Sequence, residues 1–82
     1  MTTGDDMKTM YDVQQLLKRF GTFIYTGNRL ADLDLMESEL KEIKNMNMLQ
    51  ANDYTQALLL VRKEKRRLKQ MEERNNDISN GD

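Results

Sequence analysis

One stretch of the chain, Gly21-Thr-Phe-Ile-Tyr-Thr-Gly-Asn-Arg29, concentrates glycine, aromatic and β-branched residues between two segments with helical patterning. The run from Thr22 to Thr26 is typical of extended backbone, and a glycine bounds it on each side. The sequence holds no second run of this kind, so the stretch predicts a connector between helices, or an edge for another chain. Alternation along extended backbone places Phe23 and Tyr25 on one face and Ile24 on the other.

The residues that flank this connector predict where two helices begin and end. Thr9 opens the first helix, and Asp12 three residues later nearly completes a capping box, with Asp in place of Glu or Gln. Gly21 fits the C′ position that ends this helix. The second helix spans about residues 28–45 and is capped by Thr26 or Asn28.

A third helix is predicted from Tyr54 to about Arg74, after a capping box of Asp53 and Gln56. The apolar spacing therefore predicts an all-α domain, a compact three-helix bundle over residues 9–74. Residues 1–8 are expected to form a disordered leader, and residues 75–82 a disordered tail. The predicted core contains Leu16, Leu17, Phe20, Leu33, Leu40, Ile43, Leu58 and Val61.

Composition excludes most enzyme classes. The chain has 82 residues, which allows one domain, and it contains no cysteine and no histidine. Zinc sites, disulfides and nucleophiles that rely on these residues are therefore excluded. Ser38 and Ser79 have no supporting base, and the acids of the second helix match no Ca²⁺-loop pattern. We expect a non-enzymatic protein with no cofactor, no metal and no small-molecule substrate.

Neither end of the chain nor its interior carries a membrane signal. No apolar run approaches the ~20 residues of a membrane span. The N-terminus lacks the basic start and apolar core of a signal peptide. These features predict a cytoplasmic protein without a membrane partner.

Charge is distributed unevenly, although the net charge is only −1. Residues 29–47 carry three Lys or Arg against five Asp or Glu, whereas residues 62–69 carry six Lys or Arg against one Glu. We call Arg62–Lys69 the basic segment. It can follow a phosphate backbone with salt-sensitive affinity. Two alternatives are a solvated helix end and pairing with the acidic second helix, in the same molecule or in a neighbour.

The connector is a second candidate contact surface. Gly27-Asn28-Arg29 lies at a predicted helix start, where free N–H groups favour an anion and Arg29 can bind a phosphate. Phe23 and Tyr25 can stack on bases. In the alternative interpretation, Asn28 is only a cap, Arg29 pairs with Asp32, and both aromatic residues fill the core.

The third helix is apolar almost all round between Ala57 and Val61. A helix of this kind is covered from more than one side. In a protein of this size, the pattern indicates a homo-oligomer or a partner protein.

Part of the chain resembles a known family. The residues that carry the resemblance are Tyr11-Asp-Val-Gln-Gln-Leu-Leu-Lys18, Gly21-Thr-Phe-Ile-Tyr-Thr-Gly27, Arg29-Leu-Ala-Asp-Leu33, Met36-Glu37, Glu39-Leu40 and Thr55-Gln-Ala-Leu-Leu-Leu60. From Tyr11 through Leu60 the sequence resembles the YqgQ-like family of small Gram-positive bacterial proteins. The resemblance implies a compact three-helix cytoplasmic protein without assigned catalysis, and a role in binding single-stranded nucleic acid. It supplies no site residues.

The leading hypothesis from the sequence is therefore a binding protein for single-stranded RNA or DNA. The alternative is a protein-interaction or oligomerisation module. The candidate nucleic-acid-binding residues are Lys18, Arg19, Tyr25, Arg29, Arg62, Lys65, Arg66 and Lys69.

Overall fold

Three helices make up the secondary structure of the part of the chain that the structure describes. This computed structural model describes the backbone of residues 7–80 and the side chains of residues 7–72. The helices are α1 (Met10–Arg19), α2 (Arg29–Asn45) and α3 (Ala51–Asn80), and residues 7–80 contain no strand. The predicted all-α, three-helix fold is confirmed. None of these helices combines the length and the apolar character that crossing a bilayer requires.

The ends of α1 follow from its sequence. The Thr9 side chain accepts a hydrogen bond from the Asp12 N–H, and the Asp12 carboxylate accepts one from the Thr9 N–H, which completes the capping box. At the other end, Gly21 adopts φ +81°. The Gly21 N–H donates to the Lys18 carbonyl and the Thr22 N–H donates to the Leu17 carbonyl, both at 2.9 Å. These two bonds form a Schellman motif, so the predicted C′ role of Gly21 is confirmed.

The helix α2 is capped by Asn28, one of the two caps that the sequence predicts. The Asn28 side chain accepts a hydrogen bond from the Ala31 N–H at 3.0 Å. Its C-terminus repeats the motif of α1, with Asn47 at φ +60° in the position that Gly21 occupies. Asparagine tolerates this left-handed conformation better than most residues do. Both connections of the bundle therefore start from the same type of helix end.

The helix α3 is longer at both ends than the predicted range of Tyr54 to Arg74. It begins at Ala51, because the Tyr54 N–H already donates to the Gln50 carbonyl at 2.9 Å. Asp53 therefore lies in the first turn rather than at the cap, where its charge suits the helix dipole. The other predicted member of the capping box, Gln56, instead accepts a hydrogen bond from the Met7 N–H at 3.1 Å.

The predicted leader and tail fall largely at the limits of the described chain. The helical backbone continues through residues 75–80, the first six of the predicted tail, and residues 81–82 lie outside the described residues. In the predicted leader, residues 1–6 also lie outside them. Met7 is described, and it packs against the core.

The core lies between α3 and the other two helices. The residue pairs Asp34–Lys65 and Lys44–Tyr54 show that α2 runs antiparallel to α3. Phe20 and Leu58, both predicted to be core residues, are only partly buried. Leu58 follows Ala57 by one position and is therefore turned about 100° away from the buried face of α3. The buried apolar residues are Val13, Leu16, Leu17, Leu33, Met36, Leu40, Ile43, Ala57 and Val61.

Candidate nucleic-acid interface

The basic segment of α3 is partly neutralised by α2. Lys65 Nζ lies 2.7 Å from Asp34 Oδ1 and 3.0 Å from Glu37 Oε1. Arg62 donates to Glu37 Oε2 through Nη2 at 3.1 Å and through Nε at 3.2 Å. Pairing with the acidic second helix within one molecule, one of the alternatives from the sequence, is therefore observed for two of the six cations.

These contacts change the pKa values of the groups involved. The hydrogen bond from Lys65 lowers the pKa of Asp34, and the bonds from Lys65 and then Arg62 lower the pKa of Glu37. Hydrogen bonds to Asp34 and Glu37 raise the pKa of Lys65. Asp34, Glu37 and Lys65 are therefore charged at neutral pH, so a nucleic acid must compete with the two carboxylates for Lys65, and with Glu37 for Arg62.

A third cation of the basic segment is neutralised within α3 itself. Arg67 donates to Glu64 through Nη2 at 2.7 Å and through Nε at 3.1 Å, one helical turn apart. This contact lowers the pKa of Glu64, with a small further contribution from the charge of Arg29. Glu64, the only acid of the basic segment, is thus already occupied by Arg67.

The remaining cations of the basic segment, Lys63, Arg66 and Lys69, are exposed. Within residues 7–72, none of them has a carboxylate oxygen within 4.0 Å of its charged nitrogens. Arg66 and Lys69, together with Arg62, Lys65 and Gln70, line an open groove of about 430 Å³ that we call the α3 groove. No carboxylate from residues 7–72 lines it.

A second basic groove lies on the other side of Arg66, where α3 passes the start of α1. This α1–α3 groove has a volume of about 390 Å³, and its charged lining consists of one acid, Glu64, and the cations Lys8, Lys63, Arg66 and Arg67. Lys8 was predicted to lie in the disordered leader and was therefore missed. Two contacts hold this segment: the Lys8 N–H donates to Asp12 Oδ2 at 2.9 Å, and the Met7 N–H donates to Gln56, 49 residues away. The capping box at Thr9 and Asp12 was the available local signal, whereas the contact with Gln56 depends on how the helices pack.

The connector, residues 22–28, presents its aromatic side chains to solvent. Phe23 is 75% exposed and Tyr25 is 88% exposed, whereas Ile24 packs against the core. The predicted alternation along the connector is confirmed. The alternative that Phe23 and Tyr25 fill the core is wrong, because the helices close over Ile24 instead.

A buried carboxylate anchors the connector to α2. Asp32 is only 5% exposed, and its Oδ1 accepts hydrogen bonds from the backbone N–H and the hydroxyl of Thr26, both at 2.7 Å. Asp32 is therefore directed toward Thr26. Arg29, predicted in one alternative to pair with Asp32, has no ion pair with any side chain of residues 7–72.

Comparison with known proteins identifies the family of this chain. The family model described as YqgQ-like matches residues 7–67, from Met7 to Arg67 in the basic segment. The chain belongs to the YqgQ-like family. A relative from Bacillus subtilis (strain 168), named Uncharacterized protein YqgQ, is 43% identical over 58 residues, which cover 71% of this chain and 82% of the relative. The resemblance found in the sequence is thereby confirmed.

In this YqgQ-like chain the eight candidate residues do not form one site. Arg62, Lys65, Arg66 and Lys69 share the α3 groove. Lys18 and Tyr25 line a separate groove of about 350 Å³ at the connector. Arg19 lines a third depression with Phe20 and residues 48–50, and Arg29 is exposed at the first position of α2. Among residues 7–72, no three acidic side chains are grouped as a metal site would require.

Proposed function

We propose that this protein binds single-stranded nucleic acid, with RNA as the expected ligand, and that Arg66 is the centre of the phosphate-contacting surface. The observation that supports this proposal is the position of Arg66 between two basic grooves. A strand that crosses α3 at this point meets Lys63 and Lys8 on one side and Lys69 on the other. Neutralising phosphates with such cations releases counterions, which drives binding at low salt.

Preference for a single strand follows from the connector. An aromatic ring stacks on a base only if the base is not already stacked in a duplex. Phe23 and Tyr25 are exposed and available for such contacts. Bases of a flexible strand can reach them, whereas those of a continuous duplex cannot. The proposal places this non-enzymatic protein in the cytoplasm.

The ion pairs with α2 set a limit on the affinity. Arg62 and Lys65 must exchange Glu37 and Asp34 for a phosphate before they contribute. We therefore assign the main phosphate contacts to the cations that have no carboxylate partner among residues 7–72, and expect moderate, strongly salt-dependent binding.

Fluorescence anisotropy with labelled single-stranded RNA, single-stranded DNA and duplex, measured across a salt series, tests this proposal. We expect both single strands to bind more tightly than the duplex, and the double variant Arg66→Ala, Lys69→Ala to bind weakly. Lys41→Ala is the matched control, since Lys41 is an exposed cation of α2 outside both basic grooves. The absence of binding by the wild-type protein at about 50 mM salt would refute the proposal.

A second candidate function, a protein-interaction or oligomerisation module, is favoured by Leu59. This side chain is 61% exposed at the centre of the apolar run Ala57–Val61, whereas Val61 is buried and Leu58 and Leu60 are partly buried. Sedimentation of the wild-type protein and of Leu59→Ser tests it. A dimer that Leu59→Ser converts to a monomer supports the module, and a wild-type monomer at all concentrations counts against self-association.

A further inference from the structure

We infer that the groove beside the connector is a subsite for one unstacked nucleobase of the bound strand. This inference rests on the proposed function and deepens it, because it adds a base-contacting site to the phosphate-contacting surface. The groove, which we call the connector groove, lies where the connector passes between α1 and α2 and has a volume of about 350 Å³. Small-molecule pockets typically measure about 300–1,000 Å³, so the connector groove can admit a planar ring system.

The floor and the walls of the connector groove suit an aromatic ligand. Leu17 and Met36, both core residues, and Ile24 form part of its lining. The side chains of Phe23 and Tyr25 complete it and remain largely exposed. Such faces stack on a base regardless of its sequence, because every base has a π-face.

The polar residues of the connector groove match the rest of a nucleotide. Gln14 lines the groove with a side-chain amide that both donates and accepts hydrogen bonds, as the edge of a base requires. Lys18 also lines it, is exposed, and has no carboxylate within 4.0 Å among residues 7–72. None of the described residues in the lining is acidic. The groove therefore complements an aromatic ring that carries a negative charge nearby, rather than a cationic or a purely apolar partner.

The part of the connector from Thr22 to Thr26 is held at both ends before any ligand binds. The Schellman motif at Gly21 sets its start, and the bonds from Thr26 to the buried Asp32 set its end. Phe23 and Tyr25 lie between these two anchors. A preorganised site of this kind loses little conformational freedom on binding, which favours affinity.

Two oligomers of equal charge test the inference: a strand of about twelve thymidines and an abasic strand with the same number of phosphates. Anisotropy is measured for the wild type, for the double variant that combines Phe23→Ala with Tyr25→Ala, and for the single variant Tyr11→Ala. Tyr11 is the matched control, because it is a 65% exposed tyrosine of α1 that does not line the groove. Since one stacked base contributes enough to change affinity substantially, we expect the wild type to prefer the thymidine strand about tenfold.

The double variant is expected to bind both strands equally while keeping the salt dependence of the wild type, and Tyr11→Ala is expected to keep the preference. Circular dichroism checks that all three proteins are folded, and Tyr25→Phe should retain the preference because it retains a ring. Equal, salt-dependent binding of the two strands by the wild type would overturn the base subsite but leave the proposed function intact.

The other outcomes also decide the inference. The absence of binding to either strand would overturn both the proposed function and the subsite. If sedimentation without nucleic acid shows a wild-type dimer that Phe23→Ala, Tyr25→Ala converts to a monomer, a second copy of the chain occupies the groove, and the base subsite is overturned.

Discussion

The basic segment and the connector offer a nucleic acid different kinds of contact, charges in the first and aromatic rings in the second. Different structural features restrict how each of them can bind. In the basic segment the functional groups are charges on a continuous helix, and half of them, Arg62, Lys65 and Arg67, are held by nearby acids. In the connector the functional groups are two exposed rings, and what limits them is backbone geometry set at Gly21 and Asp32. The number of charges therefore overestimates how many cations of the basic segment are available to a phosphate. The irregular backbone of the connector, in contrast, is held more firmly than its lack of secondary structure suggests.

The two surfaces therefore determine different properties of binding: the basic segment its affinity, and the connector its preference for unstacked bases. Phosphate contacts at the basic segment depend on salt and carry no information about the bases. Contacts at the connector depend on whether bases are present and unstacked. Substitutions in one of the two surfaces should therefore change the salt dependence or the base preference while leaving the other property unchanged.

The largest effect is expected from the exposed cations of the basic segment. The triple variant Lys63→Ala, Arg66→Ala, Lys69→Ala should bind a single-stranded RNA about 100-fold more weakly than the wild type at about 50 mM salt, because three phosphate contacts are lost. Anisotropy measures the loss, and the salt slope should become shallower. A loss no larger than that of Lys41→Ala would show that the basic segment is only a solvated helix end.

A large effect on stability is expected at the connector anchor. Asp32→Ala should lower the free energy of unfolding by about 2 kcal/mol, because both hydrogen bonds to Thr26 are lost and each contributes about 1 kcal/mol. Asp32→Asn keeps an acceptor oxygen and should lower it by less. Urea unfolding followed by circular dichroism compares the two. Equal losses would show that hydrogen bonding by the side-chain oxygen is not what holds the connector.

A smaller effect of opposite sign is expected at the ion pairs. Glu37→Gln should tighten RNA binding about threefold, because a phosphate no longer competes with Glu37 for Arg62, while Lys65 keeps its ion pair with Asp34. The same change should lower stability by only about 0.5 kcal/mol, as is usual for exposed pairs. Glu39→Gln, a change of equal charge at a residue outside these pairs, is the matched control. Equal tightening in both variants would assign the gain to net charge rather than to the release of Arg62.

The smallest effect concerns the pH dependence of stability. The pKa of Glu37 in the folded protein lies below its ordinary value of 4.5, so its stabilising contribution is complete above that value and is lost as the pH falls through the lower, folded pKa. Unfolding measured between about pH 5 and about pH 3 should show a decline that is slightly smaller in Glu37→Gln than in the wild type. Parallel curves for the two proteins would contradict the assigned interaction.

Local features of the sequence predicted most of the fold. Thr9, Gly21 and Asn28 act within one helical turn, and the alternation from Phe23 to Tyr25 depends only on extended backbone. Such features do not require knowledge of how the helices pack. The same reasoning failed at the start of α3, where Asp53 fits a cap in sequence but the helix already begins at Ala51.

Features that depend on helix rotation could not be predicted. Which cations of the basic segment face Asp34 and Glu37 is set by how α3 turns against α2, and a rotation of one residue moves each side chain by about 100°. The location of Lys8 beside α3 and the exposure of Phe23 are tertiary consequences of the same packing. The candidate surface was therefore predicted as a set of residues, but its division among separate grooves was not.

The salt dependence of RNA binding by the wild-type protein is the decisive measurement of whether Arg66 and its neighbours bind phosphates. Anisotropy with a labelled single-stranded RNA of about twelve nucleotides, from about 50 mM to about 200 mM salt, gives the slope of log K against log salt. With three to five cations in contact with a single strand, we predict a slope of about −2 to −3.5. A slope near zero, or the absence of binding at the lowest salt, would contradict the assignment of Arg66 and its neighbours as a phosphate-binding surface.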